Sequence, residues 1–81
     1  MFKNSYKNIK IPEEKIKNLK VVKAILEILK EEKTKNDLWL TLSKQGFDIG
    51  LKKLELYLNN LEAYKIIELK KTGRFFIYKV I

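Results

Sequence analysis

The segment IIELKKTGRFFIYKVI, residues 66–81, constrains the fold more than any other part of the chain. Ile67 and Leu69 alternate with Glu68 and Lys70. After KTGR, the run from Phe75 to Ile81 is rich in β-branched and aromatic residues. Alternation puts every second side chain on one face of a strand. Two such runs separated by a short break containing glycine read as a β-hairpin, here turning near Thr72-Gly73. Two strands alone are not stable in water. The hairpin must therefore lay its apolar face on something, and the rest of the sequence offers only helices. The expected fold class is α+β.

Upstream, apolar residues recur at helical spacing. Pro12 suits the first position of a helix, and Glu13 and Glu14 follow at the positive end of its dipole. The pattern predicts one helix running to about Glu32. Ile16, Leu19, Val22, Leu26 and Leu29 form a stripe. Val21, Ala24, Ile25 and Ile28 widen it to about half the circumference, more than one facing helix requires. Either the helix is buried centrally, or the Val21/Ile25/Ile28 edge meets a second copy of the chain. The sequence ends on the hairpin, so a homodimer is expected to use this first helix and not a C-terminal one.

TKNDLWLTLSKQG predicts the second helix. Thr34 with Asp37 three residues on resembles a capping box, though Asp is a weaker partner than Glu. Leu38 and Leu42 point inward, joined by Trp39 or Leu40. Gly46 stops the helix by adopting the left-handed conformation. Asp48 is a candidate N-cap for a third helix.

That third helix is GLKKLELYLNNLE, residues 50–62. Leu51, Leu54, Leu58 and Leu61 share one face. Leu56 falls about 180° from the centre of that face, among Lys52, Lys53, Asn59 and Asn60. A leucine on the basic, amide-bearing side of a helix calls for an explanation.

Composition narrows the choices. The 81 residues make a single domain, expected over 12–81 behind a basic arm at 1–11, and a chain this short buries only about 60% of its unfolded surface. The arm is either a frayed terminus or a strip that touches phosphates. With no Cys and no His, the chain has no disulfide, no zinc site built on those residues, no thiol nucleophile and no imidazole base. No metal, cofactor or enzymatic activity is expected. No apolar run reaches the roughly 20 residues of a membrane span, which makes the cytoplasm the expected location. Net charge is +8, carried by 17 Lys and one Arg against 10 acids. A lysine-rich surface is also what AT-rich coding produces, so the distribution matters more than the total. Residues 12–49 are nearly balanced, and the surplus lies in 1–11 and 50–81.

Two helices joined by a short turn containing Gly, followed by a basic hairpin, resemble a winged helix-turn-helix of the small archaeal, viral or plasmid regulator type. The likeness rests on Thr34, Asp37-Leu38, Gly46, Leu54, Leu58, Leu61-Glu62, Ile66-Ile67, Gly73 and Tyr78. One departure is Lys65, where the family commonly has glycine. The resemblance implies three helices with a C-terminal β-hairpin wing, and sequence-specific binding of double-stranded DNA by a transcription regulator, in the host cytoplasm if the source is viral. The third helix would enter the major groove and the wing would touch the backbone or minor groove. Carried onto this chain, the DNA-binding set is Thr34 and Lys35 at the second helix, Lys52, Lys53, Leu56, Tyr57, Asn59 and Asn60 on the third, and Lys70, Lys71 and Arg74 on the wing. Lysines neutralise phosphates, Asn can bond adenine bidentately, and an apolar side chain can pack on a thymine methyl, which would answer Leu56. Two other answers stay open. Leu56, Tyr57 and Trp39 could form a protein-binding patch on a winged-helix module that does not touch DNA, or Leu56 could be an exposed leucine of no consequence. The wing lysines could likewise serve only to solubilise a sheet edge.

Overall fold

A computed structural model describes residues 10–81 of the chain. The arm expected at 1–11 lies outside the described residues, except for Lys10 and Ile11.

Where the sequence pattern predicts one long helix there are two, α1 (Glu13–Asn18) and α2 (Lys20–Ile28). Pro12 is the N-cap of α1 and not its first helical residue. Leu19 separates the two helices with extended backbone, φ −72° and ψ 134°. Its N–H reaches the Ile16 carbonyl at 3.3 Å, and its own carbonyl starts α2 by accepting the Lys23 N–H at 3.0 Å. The break corrects a phase error. At about 100° per residue, a straight helix would turn Ile16 about 180° away from Ile25. Resetting the phase at Leu19 lets Ile16, Val22, Ile25 and Leu29 all reach the same core, each fully buried. α2 also ends about a turn early, because Lys33 and Thr34 leave to form a strand.

That strand, β1 (Lys33–Thr34), is an addition to the expected hairpin. It pairs antiparallel with β3 (Phe75–Val80), Lys33 opposite Tyr78 and Thr34 opposite Ile77. On its other side β3 pairs with β2 (Ile67–Thr72), from Ile67–Val80 at the base to Thr72–Phe75 at the tip. The sheet is therefore three-stranded, in the order β1-β3-β2. The turn residues are Gly73 and Arg74, one position later than the sequence pattern placed them. Glycine in the first position with φ +58° is the arrangement of a type II′ turn.

Thr34 ends β1 and caps α3 (Lys35–Lys44), its Oγ1 accepting the Asp37 N–H at 3.2 Å. α3 closes as expected at Gly46, φ +93°. The Phe47 N–H returns to the Leu42 carbonyl and the Gly46 N–H to the Ser43 carbonyl, both at 3.0 Å. This paired pattern is a Schellman motif, and it turns Phe47 back onto the core. Trp39, not the exposed Leu40, joins the inward side of α3. Its indole N–H donates to the Ile49 carbonyl at 2.9 Å and ties the inter-helix turn to α3. Asp48 does not cap the next helix. α4 (Leu51–Ala63) starts at Gly50, with no side-chain cap.

α4 ends on a second Schellman motif. The Ile66 N–H bonds the Leu61 carbonyl and the Lys65 N–H bonds the Glu62 carbonyl, both at 2.9 Å. Lys65 takes the left-handed position itself, at φ +60°. The chain thus makes the turn that usually takes glycine, at a conformational cost of about 1 kcal/mol.

The core joins α1 and α2 to Leu38 and Leu42 of α3, Leu54, Tyr57, Leu58 and Leu61 of α4, and Ile67 of β2. The sheet base is fixed to the helices by the Val80 N–H, which donates to the Leu29 carbonyl at 3.0 Å. Among the described residues, four helices pack with one small antiparallel sheet, and no helix is long and apolar enough to cross a membrane.

Candidate nucleic-acid interface

Residues expected on the outer face of α4 separate into two groups. Lys52, Lys53 and Asn59 are exposed, and Leu56 is half-buried beside them. Tyr57 and Asn60 are not on that face. Tyr57 is 8% exposed and belongs to the core, with the Lys53 ammonium 6.0 Å from its ring centroid. Asn60 is 3% exposed. Its Oδ1 accepts the Ile11 N–H at 2.8 Å, and its Nδ2 donates to the Leu56 carbonyl at 2.8 Å. The Tyr64 hydroxyl donates to the Ile11 carbonyl at 2.5 Å. Both backbone groups of Ile11 are thus held by side chains of α4 and its C-cap. Asn60 holds the segment before α1 in place, and its amide is too buried to reach adenine.

A helical wheel places Asn60 on the polar side because its partner lies 49 residues away in sequence. Leu51 departs from expectation in the opposite direction: on the apolar face but in the first turn, it stays exposed.

The start of α3 lies beside α4. Lys35 reaches across to Glu55 at 2.5 Å, so the cation expected to meet phosphate already faces a carboxylate. Both side chains are partly exposed, and an ion pair of this kind contributes at most about 1 kcal/mol, little enough for a phosphate to compete for Lys35. Glu55 has no counterpart among the expected site residues. Thr34 is occupied as the α3 cap.

On the wing, Lys70, Lys71 and Arg74 are exposed as expected. Lys70 meets Glu32 at 3.3 Å on the surface, and the Lys71 ammonium sits 5.9 Å from the Phe76 ring centroid. Phe75 and Phe76 were not among the expected site residues, yet they are 62% and 51% exposed. The signal was available. Neighbouring strand residues point to opposite faces, so a Phe-Phe pair near a hairpin tip could not bury both rings against one layer of helices.

A cleft of about 190 Å³ separates the wing tip from the start of α3, with Thr34, Lys35, Asn36, Arg74, Phe75, Phe76 and Tyr78 around it. Burial raises the Tyr78 phenol above its ordinary value of 10.0, Lys35 opposes the shift, and Glu62 and Glu55 add to it. Tyr78 lines the cleft together with Lys35, whose ammonium reaches Glu55 of α4.

The edge of α2 expected to dimerise is exposed only in part. Ile25 is fully buried, and Val21 and Ile28 are half-buried against the core. The reset at Leu19 rotates Ile25 inward. Among the described residues, no three acidic side chains cluster closely enough to hold a metal ion.

No protein-family model, no curated protein and no solved structure matches this chain.

Proposed function

We propose that the chain is a winged helix-turn-helix protein that binds double-stranded DNA sequence-specifically and regulates transcription. α3, its Schellman turn and α4 form the helix-turn-helix, and β2–β3 form the wing. The observation that carries this reading is the outer face of α4. Lys52, Lys53, Leu56 and Asn59 stand together there, and the exposed hairpin tip adds Lys71 and Arg74. In the major groove, the lysines neutralise phosphates, Asn59 replaces Asn60 as the amide able to read adenine, and Leu56 packs on a thymine methyl. The wing lies along the backbone. The reading assigns a binding module without catalysis, working in the cytoplasm of a prokaryotic cell or of a virus-infected host.

A second reading has its own support. Leu40 and Leu51 are exposed and Leu56 is half-buried, which suits a winged-helix module that docks on another protein. Selection from random-sequence duplexes separates the two. The DNA reading expects a defined site in which Leu56→Ala weakens binding only when thymine occupies the contacted position, and in which uracil at that position mimics the substitution. Failure to enrich any site, with duplex affinity no better than that of an unrelated protein of similar charge, would favour the protein-binding module.

A further inference from the structure

The wing tip carries more apolar surface than a phosphate-binding loop needs. Sheet edges are ordinarily kept polar, with lysines that discourage pairing with other chains. Here the two most exposed aromatic rings of the described residues follow the turn directly on β3, one on each face of the ribbon, at 62% and 51% exposure. Lone exposed apolar side chains need no explanation. Two adjacent rings among Lys70, Lys71 and Arg74 do.

The sheet shows why a ring is accessible at this corner. β1 stops at Thr34, opposite Ile77. Beyond it, among the described residues, the β1-facing edge of β3 has no neighbouring strand at Phe75 and Phe76, and the missing corner is the cleft of about 190 Å³. That volume falls below the roughly 300–1,000 Å³ of pockets that enclose small-molecule ligands. It suits one flat ring laid against an aromatic surface. Arg74 lines the same cleft, and the Lys71 ammonium stands over one side of the Phe76 ring, 5.9 Å from its centroid. A platform of aromatic rings among cations is the general means of holding an unpaired nucleotide: the base stacks and the phosphate is neutralised.

We propose that the wing tip is a base-stacking site: the Phe76 ring takes the base of an unpaired nucleotide while Arg74 meets its phosphate. The protein then prefers duplex DNA carrying unpaired nucleotides, at an overhang or a bulge, over continuous duplex. The inference rests on the DNA-binding reading above. Charge complementarity favours DNA as the occupant, and the Lys35–Glu55 contact joins this corner directly to α4, so one polyanion can cover both. A bilayer suits the tip less well, because rings on opposite faces of a narrow ribbon do not form one apolar surface.

The test compares a blunt duplex with the same duplex extended by a short 3′ overhang containing 2-aminopurine. The full chain should bind the overhang probe about 5- to 150-fold more tightly, the range one stacked base provides, and should change the 2-aminopurine fluorescence. Phe76→Ser and Phe76→Leu should both lose that preference and keep blunt-duplex affinity, and Phe76→Tyr should retain it. Equal affinity for the two probes overturns the inference and leaves the DNA reading standing. Full retention in Phe76→Leu overturns it as well, since apolar bulk would suffice without a ring. Binding to neither probe overturns both readings, and Phe76-dependent binding to anionic phospholipid vesicles in that case makes the tip a membrane contact.

Discussion

Replacing Asn60 by alanine separates a structural role from a DNA-reading role at one position. Among the described residues, the side chain accepts a hydrogen bond from the Ile11 N–H and donates one to the Leu56 carbonyl, each 2.8 Å long. The Leu56 carbonyl keeps its helical bond when the side chain is removed. The Ile11 N–H, half-buried, loses its partner. A lost hydrogen bond costs about 1 kcal/mol net, and a buried donor left unsatisfied costs about 1–3 kcal/mol. The expected loss is about 2 kcal/mol. For a domain of this size each 1 kcal/mol shifts Tm by about 4–8 °C, so the midpoint should fall by about 8–16 °C. Denaturant unfolding should show a lower midpoint at unchanged slope, which marks a change of stability alone. Exchange of the Ile11 amide should accelerate in parallel. A stability change below about 0.5 kcal/mol, together with loss of DNA affinity in a folded variant, would refute this reasoning and return Asn60 to the interface.

Three further outcomes are expected. Leu58→Ala should cost about 2–5 kcal/mol, because it opens a cavity in the core, whereas Leu56→Ala should cost about 1 kcal/mol or less in the same denaturation assay; similar costs would mean that α4 is rotated from its described position. Lys65→Gly should stabilise by up to about 1 kcal/mol, since glycine removes the left-handed penalty at φ +60° and returns part of the gain as unfolded-state entropy; a lower Tm counts against that geometry. Tyr78, raised above 10.0 mainly by burial, favours folding fully at neutral pH and loses that contribution as pH climbs above its unfolded value and through its folded one. Tyr78→Phe should therefore remove a step above pH 10.0 from a phenolate absorbance titration, and a titration unchanged in that range would count against the burial of this phenol.

What could be read from the sequence was what local chemistry decides. The hairpin follows from alternation and Gly73, the start of α3 from Thr34 and its end from Gly46, each within a few residues of its cause. The break at Leu19 has no proline or glycine to announce it. It follows from a global demand, that Ile16 and Ile25 face one core, and a phase count over the whole segment could have exposed it. β1 is two residues long, too short for any alternation to register. The basic wing was legible because a hairpin tip is surface, and most of the outer face of α4 because surface position follows from helical phase. Asn60 and Ile25 were misplaced for the opposite reason: Asn60 is defined by Ile11, 49 residues distant, and Ile25 by a rotation introduced upstream.

The central claim is that α4 and the wing bind duplex DNA through a shared set of cations, and the salt dependence of binding tests it most directly. Each phosphate neutralised contributes about −0.9 to the slope of log affinity against log salt. If Lys52, Lys53, Lys71 and Arg74 each meet one phosphate, the slope should be about −3.6, and Lys53→Ala or Arg74→Ala should each flatten it by about one contact. A slope near zero, or a steep slope that neither substitution changes, would contradict the account.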